Sequence, residues 1–220
     1  MKPRWVLAAV AAVFATTLAA SPVQASSATP IVHCDFTPTG PDNPAARPVV
    51  PPIPYALTIG KARITFKTNY GPVTVELNRA GAAPCAVHNM ISLVAQRFYN
   101  HSQCFRLTNS SRLGVLQCGD LIEVEKGGPG YKFPDEVTGQ ETYPRGTFAM
   151  GNQGPGTNGS EFFIVHSFAN IPPAYSVMGK VVRGMDALDR IVAAGIIPSE
   201  RGPLDGAPAK PVRIERVTFG

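Results

Sequence analysis

Apolar and polar residues alternate along much of this chain, and the breaks in that alternation mark its elements. Arg63-Ile64-Thr65-Phe66-Lys67 and Val73-Thr74-Val75-Glu76-Leu77 change character at every residue, the period of half-buried strands. Asn69-Tyr70-Gly71-Pro72 between them is turn chemistry, so the pair reads as a β-hairpin. After Pro84 the period lengthens. Val87, Met90, Ile91, Val94, Ala95 and Phe98 recur at helical spacing, which predicts a helix from Pro84 to about Phe98 with one apolar face. His88 falls on its polar side, where a solvated side chain is expected.

Strand patterning then returns. Cys104–Leu107 and Val115–Cys118 flank a Ser/Asn-rich turn, and residues 122–143 read as loop. Phe148-Ala149-Met150 and Phe162-Phe163-Ile164-Val165 are apolar runs separated by eleven residues rich in Gly, Asn, Pro and Thr. Such a loop can hold backbone groups in conformations that larger side chains forbid. A strand at Ser176–Val181 follows, then a second helix marked by Met185, Leu188, Ile191 and Val192. Residues 211–219 close as a strand whose apolar phase shifts between Ile214 and Val217, the signature of a bulge. About eight short strands and two helices result, with no strand–helix–strand repeat. A closed antiparallel β-barrel is therefore favoured over a parallel sheet.

The first part of the chain follows other rules. Lys2 and Arg4 precede an uncharged run from Trp5 to Ala20, and Val23-Gln24-Ala25 has the small residues a signal peptidase cuts after, so residues 1–25 read as a signal peptide cleaved near Ala25. The apolar run is about 15 residues, short of the roughly 20 that span a bilayer, although retention as an anchor is the alternative. Residues 26–58 hold eight prolines between Pro30 and Pro54, a polyproline-like tether that either spaces the domain from the cell surface or lies along its side. Residues 59–220 form the folded domain. The destination is secretion or the cell envelope, with no membrane insertion of the mature domain.

The whole chain carries 20 Lys and Arg against 15 Asp and Glu, a net +5. Without residues 1–25, which contain Lys2, Arg4 and no acids, 18 basic residues face 15 acidic ones, leaving +3. That charge is mild and scattered, so neither nucleic acid nor an anionic membrane is an expected partner. All four cysteines, Cys34, Cys85, Cys104 and Cys118, follow the leader, and an even count in an exported chain favours two disulfides. A zinc site lacks the usual close Cys/His spacing.

Several chemistries drop out on context. Gly154, Gly156 and Gly159 satisfy G-x-G-x-x-G, but a strand follows where a dinucleotide site needs a helix, and no acidic residue stands about 20 positions on. No Gly-Lys-Ser/Thr completes a P-loop, and no G-x-S-x-G supports a serine hydrolase. Asn100, Asn109 and Asn158 open weak glycosylation sequons.

An ordered series remains: Phe105-Arg106, Gln117-Cys118-Gly119-Asp120, Gly128-Pro129-Gly130-Tyr131, Gly146-Thr147-Phe148-Ala149-Met150, then Asn152 through Gly154-Pro155-Gly156-Thr157-Asn158-Gly159-Ser160-Glu161-Phe162-Phe163-Ile164, and Val177-Met178-Gly179-Lys180-Val181. This series resembles the cyclophilin family of peptidyl-prolyl cis–trans isomerases over about residues 62–219. Pro172-Pro173-Ala174-Tyr175 is similar to the secreted or lipoprotein-like branch of high-GC Gram-positive bacteria.

The resemblance implies an eight-stranded antiparallel barrel capped by two helices, in agreement with the pattern. It implies an isomerase acting on X–Pro bonds of exported polypeptides, working as a single copy with no cofactor and no metal. Arg106 matches the catalytic arginine. Phe163 would floor the proline pocket, lined by Val115 and Ile171. Gln117 and the backbone at Asn152 would hold the substrate main chain, beside Tyr175, which stands where many members carry His. The chain departs from the family at Glu161, usually Gln, where a carboxylate is placed to pair with Arg106 and lower its field. It departs again at Gly151, usually Ala, at Gly114, usually aromatic, and at Asn170, where cyclosporin-sensitive members have Trp. A weakened catalyst that binds Pro-containing segments is the alternative function. The hairpin places Cys104 beside Cys118, which leaves Cys34 for Cys85.

Overall fold

In the computed structural model, residues 30–122 and 126–220 are described. The leader reading, and residues 26–29 of the tether, lie outside them. Eight strands close an antiparallel barrel: β1 (Lys61–Thr68), β2 (Gly71–Asn78), β3 (Ser102–Thr108), β4 (Leu113–Cys118), β5 (Thr147–Met150), β6 (Phe162–Ala169), β7 (Val177–Arg183) and, last in the chain, Val212–Phe219. The last strand bonds to β1 and β3, and the circuit continues β1–β2–β7–β5–β6–β4 before β4 returns to β3. Its register shifts between Ile214 and Arg216, which confirms the expected bulge.

Two helices cap the barrel, α1 (Pro84–Ala95) and α2 (Met185–Ala193). Helix α1 stops earlier than the periodicity predicts. Ala95 is exposed, and the buried face runs through Ala86, Val87, Met90, Leu93 and Val94. Phe98 is buried from the turn beyond the helix, among the same core. Ala83, at the N-cap, has no side chain to satisfy the first helical N–H groups. The Glu136 carboxylate does so instead, accepting from Cys85 N at 3.0 Å and Ala86 N at 2.8 Å.

The main core lies between α1, α2 and the barrel interior, where Phe66, Tyr99, Phe148 and Phe162 pack as an aromatic cluster. Strand alternation sends β4 and β6 in two directions. Leu116, Cys118, Phe162 and Ile164 join this core. Their neighbours Val115, Phe163 and Val165 join a smaller cluster with Tyr143 and Ala149 on the other face. Both faces of β6 are thus covered, which explains its near-continuous apolar run.

Sequence patterning does not reveal a further hairpin, β8 (Ile196–Ser199) and β9 (Gly202–Pro208), nor short pairings at Tyr131–Lys132 and Tyr143–Pro144. Proline and glycine interrupt the alternation in these segments. Strand β9 bonds to β3 through Asp205 opposite Thr108 and Gly206 opposite Leu107. Leu107 also pairs with Leu116 of β4, so the hairpin occupies the other edge of β3.

The proline-rich segment from residue 30 lies along the domain. Ile31–His33 pairs with Tyr55–Leu57, and Thr37–Pro38 with Tyr131–Lys132. The Gln96 amide bonds both N and O of Val50, at 2.8 and 3.0 Å, and Arg47 donates to Phe98 O at 2.7 Å. His88 is half-buried rather than solvated, because its ring meets Ile53 O at 3.0 Å. Both disulfides have the expected pairing, Cys34–Cys85 and Cys104–Cys118. No described helix is long and apolar enough to cross a membrane.

The Cys34–Cys85 bridge spans 51 residues, a loop whose closure is worth at most about 4 kcal/mol in the chain-entropy account. Replacing both cysteines by alanine should lower the melting temperature by several degrees and open residues 30–58 to limited proteolysis. An unchanged cleavage pattern would show that the hydrogen bonds alone hold the segment.

Candidate active site

One row of paired residues crosses the outer face of the barrel: Arg106 opposite Gln117, Gln117 opposite Phe163, Phe163 opposite Ala149. Directly opposed residues of antiparallel strands point to the same side. The row reaches β3 only because the pairing slips between Cys104 and Arg106, with Phe105 as the extra residue. The bulge sets the guanidinium beside the Gln117 amide.

A cavity of about 210 Å³ opens over this row. Eight of the nine predicted residues line it: Arg106, Val115, Gln117, Asn152, Glu161, Phe163, Ile171 and Tyr175. Gly151 lines instead a neighbouring cavity of about 320 Å³, which shares Asn152 and Glu161 with the first. Phe163 is 4 % exposed and meets Tyr175 edge-on, ring centroids 5.6 Å apart. It belongs to the smaller apolar cluster, packed by Ile171 and Tyr175, and not to the main core. The Tyr143 hydroxyl clamps the Tyr175 backbone, donating to its O at 3.2 Å and accepting from its N at 3.0 Å.

Arg106 corrects the sequence reading. Its direct carboxylate is Asp205 on β9, not Glu161. Nε donates to Asp205 Oδ1 and Nη2 to Oδ2, both at 2.7 Å, and Nη1 donates to Gln117 Oε1 at 2.8 Å. The Asp205 carboxylate raises the arginine's pKa further, so the guanidinium is charged at all working pH values. The same pair holds Asp205 below the ordinary 3.8, chiefly through the hydrogen bonds to Arg106, with Arg201 adding to the effect. Glu161 acts on Arg106 through space. Its carboxylate accepts from the Gln117 amide and, at 2.8 Å, from Gln153 Nε2. A continuous polar chain results: Asp205, Arg106, Gln117, Glu161, Gln153.

The Gly/Asn loop is organised by Asp135, a residue the sequence reading did not single out. Its carboxylate accepts from Asn152 Nδ2 at 2.8 Å, Asn158 Nδ2 at 2.9 Å and Gly156 N at 2.7 Å. Asn89 of α1 holds the loop from below through Gly159 O at 2.7 Å. Asn158 is fully buried, which closes that sequon.

Two departures have steric causes. A Cβ at Gly151 would lie 2.7 Å from Glu161 Cδ, so the missing methyl makes room for the carboxylate. A Cβ at Gly114 would run into the Ser167 hydroxyl and lie 2.9 Å from His166 Cε1. The register between β4 and β6 shifts at this point, between Val165 and Ala169. The space beside Gly114 is thus occupied from the neighbouring strand, by His166 and Ser167. Asp205, Gln153, Arg201 and Asp135 were not found from sequence. They lie in segments without periodicity, and nothing local separates them from ordinary surface polar residues.

A family model for cyclophilin-type peptidyl-prolyl cis-trans isomerases (Pro_isomerase, "Cyclophilin type peptidyl-prolyl cis-trans isomerase/CLD") matches residues 63–219. The chain is 41% identical over 199 residues to a probable peptidyl-prolyl cis-trans isomerase B of Mycobacterium leprae, covering 84% of this chain and 65% of that protein. The corresponding Mycobacterium tuberculosis protein is 37% identical over 200 residues, covering 84% and 63%. This chain thus spans less than two thirds of the length of these relatives. A peptidyl-prolyl cis-trans isomerase-like 3 of Gallus gallus is 30% identical over 161 residues, covering 71% of this chain and 98% of that one. Among solved structures, a Cryptosporidium parvum cyclophilin-type peptidyl-prolyl cis-trans isomerase matches with TM-score 0.60 at 27% identity, covering 73% and 98%. A second crystal structure of that protein, obtained in the presence of the dipeptide Ala-Pro, matches with TM-score 0.58.

Two tests follow from the geometry. Gly114→Phe should destabilise the fold, lowering the melting temperature by several degrees for a cost of about 1–3 kcal/mol, and should not enlarge the apolar cup. A stable Gly114→Phe protein would contradict the packing at His166 and Ser167. Asp205 has a lowered folded pKa, so its pairing contributes stability that is fully present above the unfolded value of about 3.9 and lost as pH falls through the folded value. The melting-temperature difference between wild type and Asp205→Ala should therefore be constant from neutral pH to about 5 and shrink below about 4.

Proposed function

From the cyclophilin family, to which this chain belongs, we propose that it is a peptidyl-prolyl cis–trans isomerase acting on X–Pro bonds of exported polypeptides outside the cytoplasmic membrane. One observation carries the reading: a fixed, permanently charged guanidinium shares a cavity of about 210 Å³ with the apolar side chains of Val115, Phe163, Ile171 and Tyr175. The relative crystallised in the presence of Ala-Pro supports proline-containing ligands for such a cup. The two disulfides fit an oxidising compartment, and the leader reading fits export.

The chemistry needs no nucleophile and no metal. Rotation about an X–Pro bond crosses a barrier of about 18–20 kcal/mol because amide resonance is lost. At the twisted transition state the prolyl nitrogen is pyramidal and carries a lone pair. Val115, Phe163, Ile171 and Tyr175 hold the ring while the preceding carbonyl turns. Arg106 donates a charged hydrogen bond to the prolyl nitrogen or the neighbouring carbonyl, contributing about 1.5–3 kcal/mol, or very roughly ten- to a hundredfold. Gln117 and the backbone at Asn152 keep the flanking peptide from turning with it.

A second reading has its own observation. Two carboxylates, Asp205 and Glu161, act on the Arg106 guanidinium and oppose its field, which favours a binding module with weak catalysis. Protease-coupled or NMR exchange assays on X–Pro peptides separate the two. Isomerisation by wild type should exceed that of Arg106→Ala by at least tenfold, with peptide binding largely retained in the variant. Glu161→Gln should raise kcat/KM about two- to fivefold by removing one opposing charge. Equal rates for wild type and Arg106→Ala would leave the binding module as the function.

A further inference from the structure

We propose that Asp205 is a positioning residue for Arg106, carried into the site by the β8–β9 hairpin, and that it sets which edge of the guanidinium faces the substrate. The inference rests on the reading of Arg106 given above. An arginine side chain has four rotatable bonds, and a hydrogen bond weakens steeply once its angle falls below about 120°. A cationic donor aimed at a prolyl nitrogen therefore needs its plane fixed as well as its charge.

Asp205 fixes that plane at both ends of one edge. Its two oxygens take Nε and Nη2, the fork-on-fork geometry in which a carboxylate matches a guanidinium. Gln117 takes one N–H of Nη1. Three of the five N–H groups are then committed to described residues, one on each nitrogen, and the two that remain are one on Nη1 and one on Nη2, off the edge that Asp205 holds. The Arg106 and Asp205 side chains are only 21% and 19% exposed, so water competes weakly for the pair.

The carboxylate is itself held. Asp205 lies opposite Thr108 in the β9–β3 ladder, and its carbonyl accepts from Ser199 Oγ at 2.7 Å. Its neighbour Gly206 has no room for a side chain, since a Cβ there would run into the backbone oxygen of Ile197. The hairpin thus closes tightly beside Asp205 and hooks onto β3 at Leu107, one residue from Arg106. Charge and orientation pull in opposite directions here. The carboxylate opposes the field of the guanidinium, and it also removes the rotational freedom that would scatter its N–H groups. Misplacing a positioned group by about 1 Å costs on the order of a hundredfold, so orientation should dominate.

The test uses the purified full chain and four variants: Asp205→Ala, Asp205→Asn, Arg106→Ala and the Asp205→Ala/Arg106→Ala double variant. Proton–nitrogen NMR of the Arg106 Nε–Hε group, assigned by its loss in Arg106→Ala, reads orientation without any activity. In wild type that resonance should be sharp and slow to exchange, and in Asp205→Ala it should broaden into exchange with water. With an Ala-Pro-containing peptide, Asp205→Ala should lower kcat about tenfold and move KM less than twofold. Asp205→Asn, which keeps one acceptor, should recover part of the loss. In the Arg106→Ala background, removing Asp205 should change nothing further. An unshifted Nε–Hε resonance, an undiminished kcat in Asp205→Ala, or an equal loss with Arg106 absent would each overturn the proposal. If the resonance behaves as expected while wild type catalyses no isomerisation, the positioning stands and the isomerase reading falls.

Discussion

Everything at the site depends on a two-residue alternation held in register across β3, β4, β6 and β5. Leu116, Phe162 and Ile164 point into the main core, and Gln117, Phe163 and Val115 point outward into the cavity. A slip of one residue would exchange the two sets, exposing the core aromatics and burying the polar row. The apolar interior therefore places the functional side chains: the cost of exposing Phe162 keeps Phe163 under the cup. Aromatic packing against Phe66, Phe148 and Tyr99 supplies the apolar burial that makes this register far more stable than its neighbours. The Cys104–Cys118 bond ties the same two strands beside the bulge that presents Arg106.

The residues around the cavity are packed as couples. Gly151 goes with Glu161, because the carboxylate occupies the space a methyl would take. Gly114 belongs with the irregular stretch of β6 at His166 and Ser167. His166 is anchored there by a 2.7 Å contact to Thr108 O, and burial lowers its pKa, so it stays neutral near pH 7 and packs as an uncharged ring. Each of these residues is explained by the neighbour it packs against, and the apolar cluster at Phe163 stays intact beside them.

Most of the barrel was legible in the sequence because its strands obey a strict period and its turns carry glycine, proline and asparagine. The phase break between Ile214 and Val217 even located a bulge, and the hairpin around residues 108–113 located a disulfide. The site was legible wherever it sits on that periodic frame, as with Arg106, Gln117 and Phe163, and in the ordered motif that marks the family. Asp205 was not. It comes from a hairpin broken by Pro198, Gly202, Pro203 and Gly206, and its partner lies 99 positions away. Local pattern cannot report a contact between one aperiodic segment and a strand so distant. Asp135 escaped for the same reason, since its role is to gather loop amides that only the folded chain brings near it. The end of α1 was misjudged because Phe98 stays buried after the helix has stopped: Phe98 N bonds to Leu93 O at 2.9 Å while Arg97 takes a positive φ of 59°.

The polar chain from Asp205 to Gln153 joins two parts of the molecule that are fixed independently. Its first end is set by the β8–β9 hairpin on β3, and its far end by the Gly/Asn loop gathered on Asp135 and Asn89. Arg106 and Gln117 lie between, and Gln117 both accepts from the guanidinium and donates to Glu161. With its oxygen committed to a cation and its amide to an anion, the Gln117 side chain has one orientation that satisfies both neighbours. The two carboxylates that weaken the arginine's field thus also supply acceptors that order the row it belongs to. A site built this way gives up some electrostatic strength for a guanidinium whose direction is fixed by its neighbours, the arrangement in which a preorganised donor acts without reorganising.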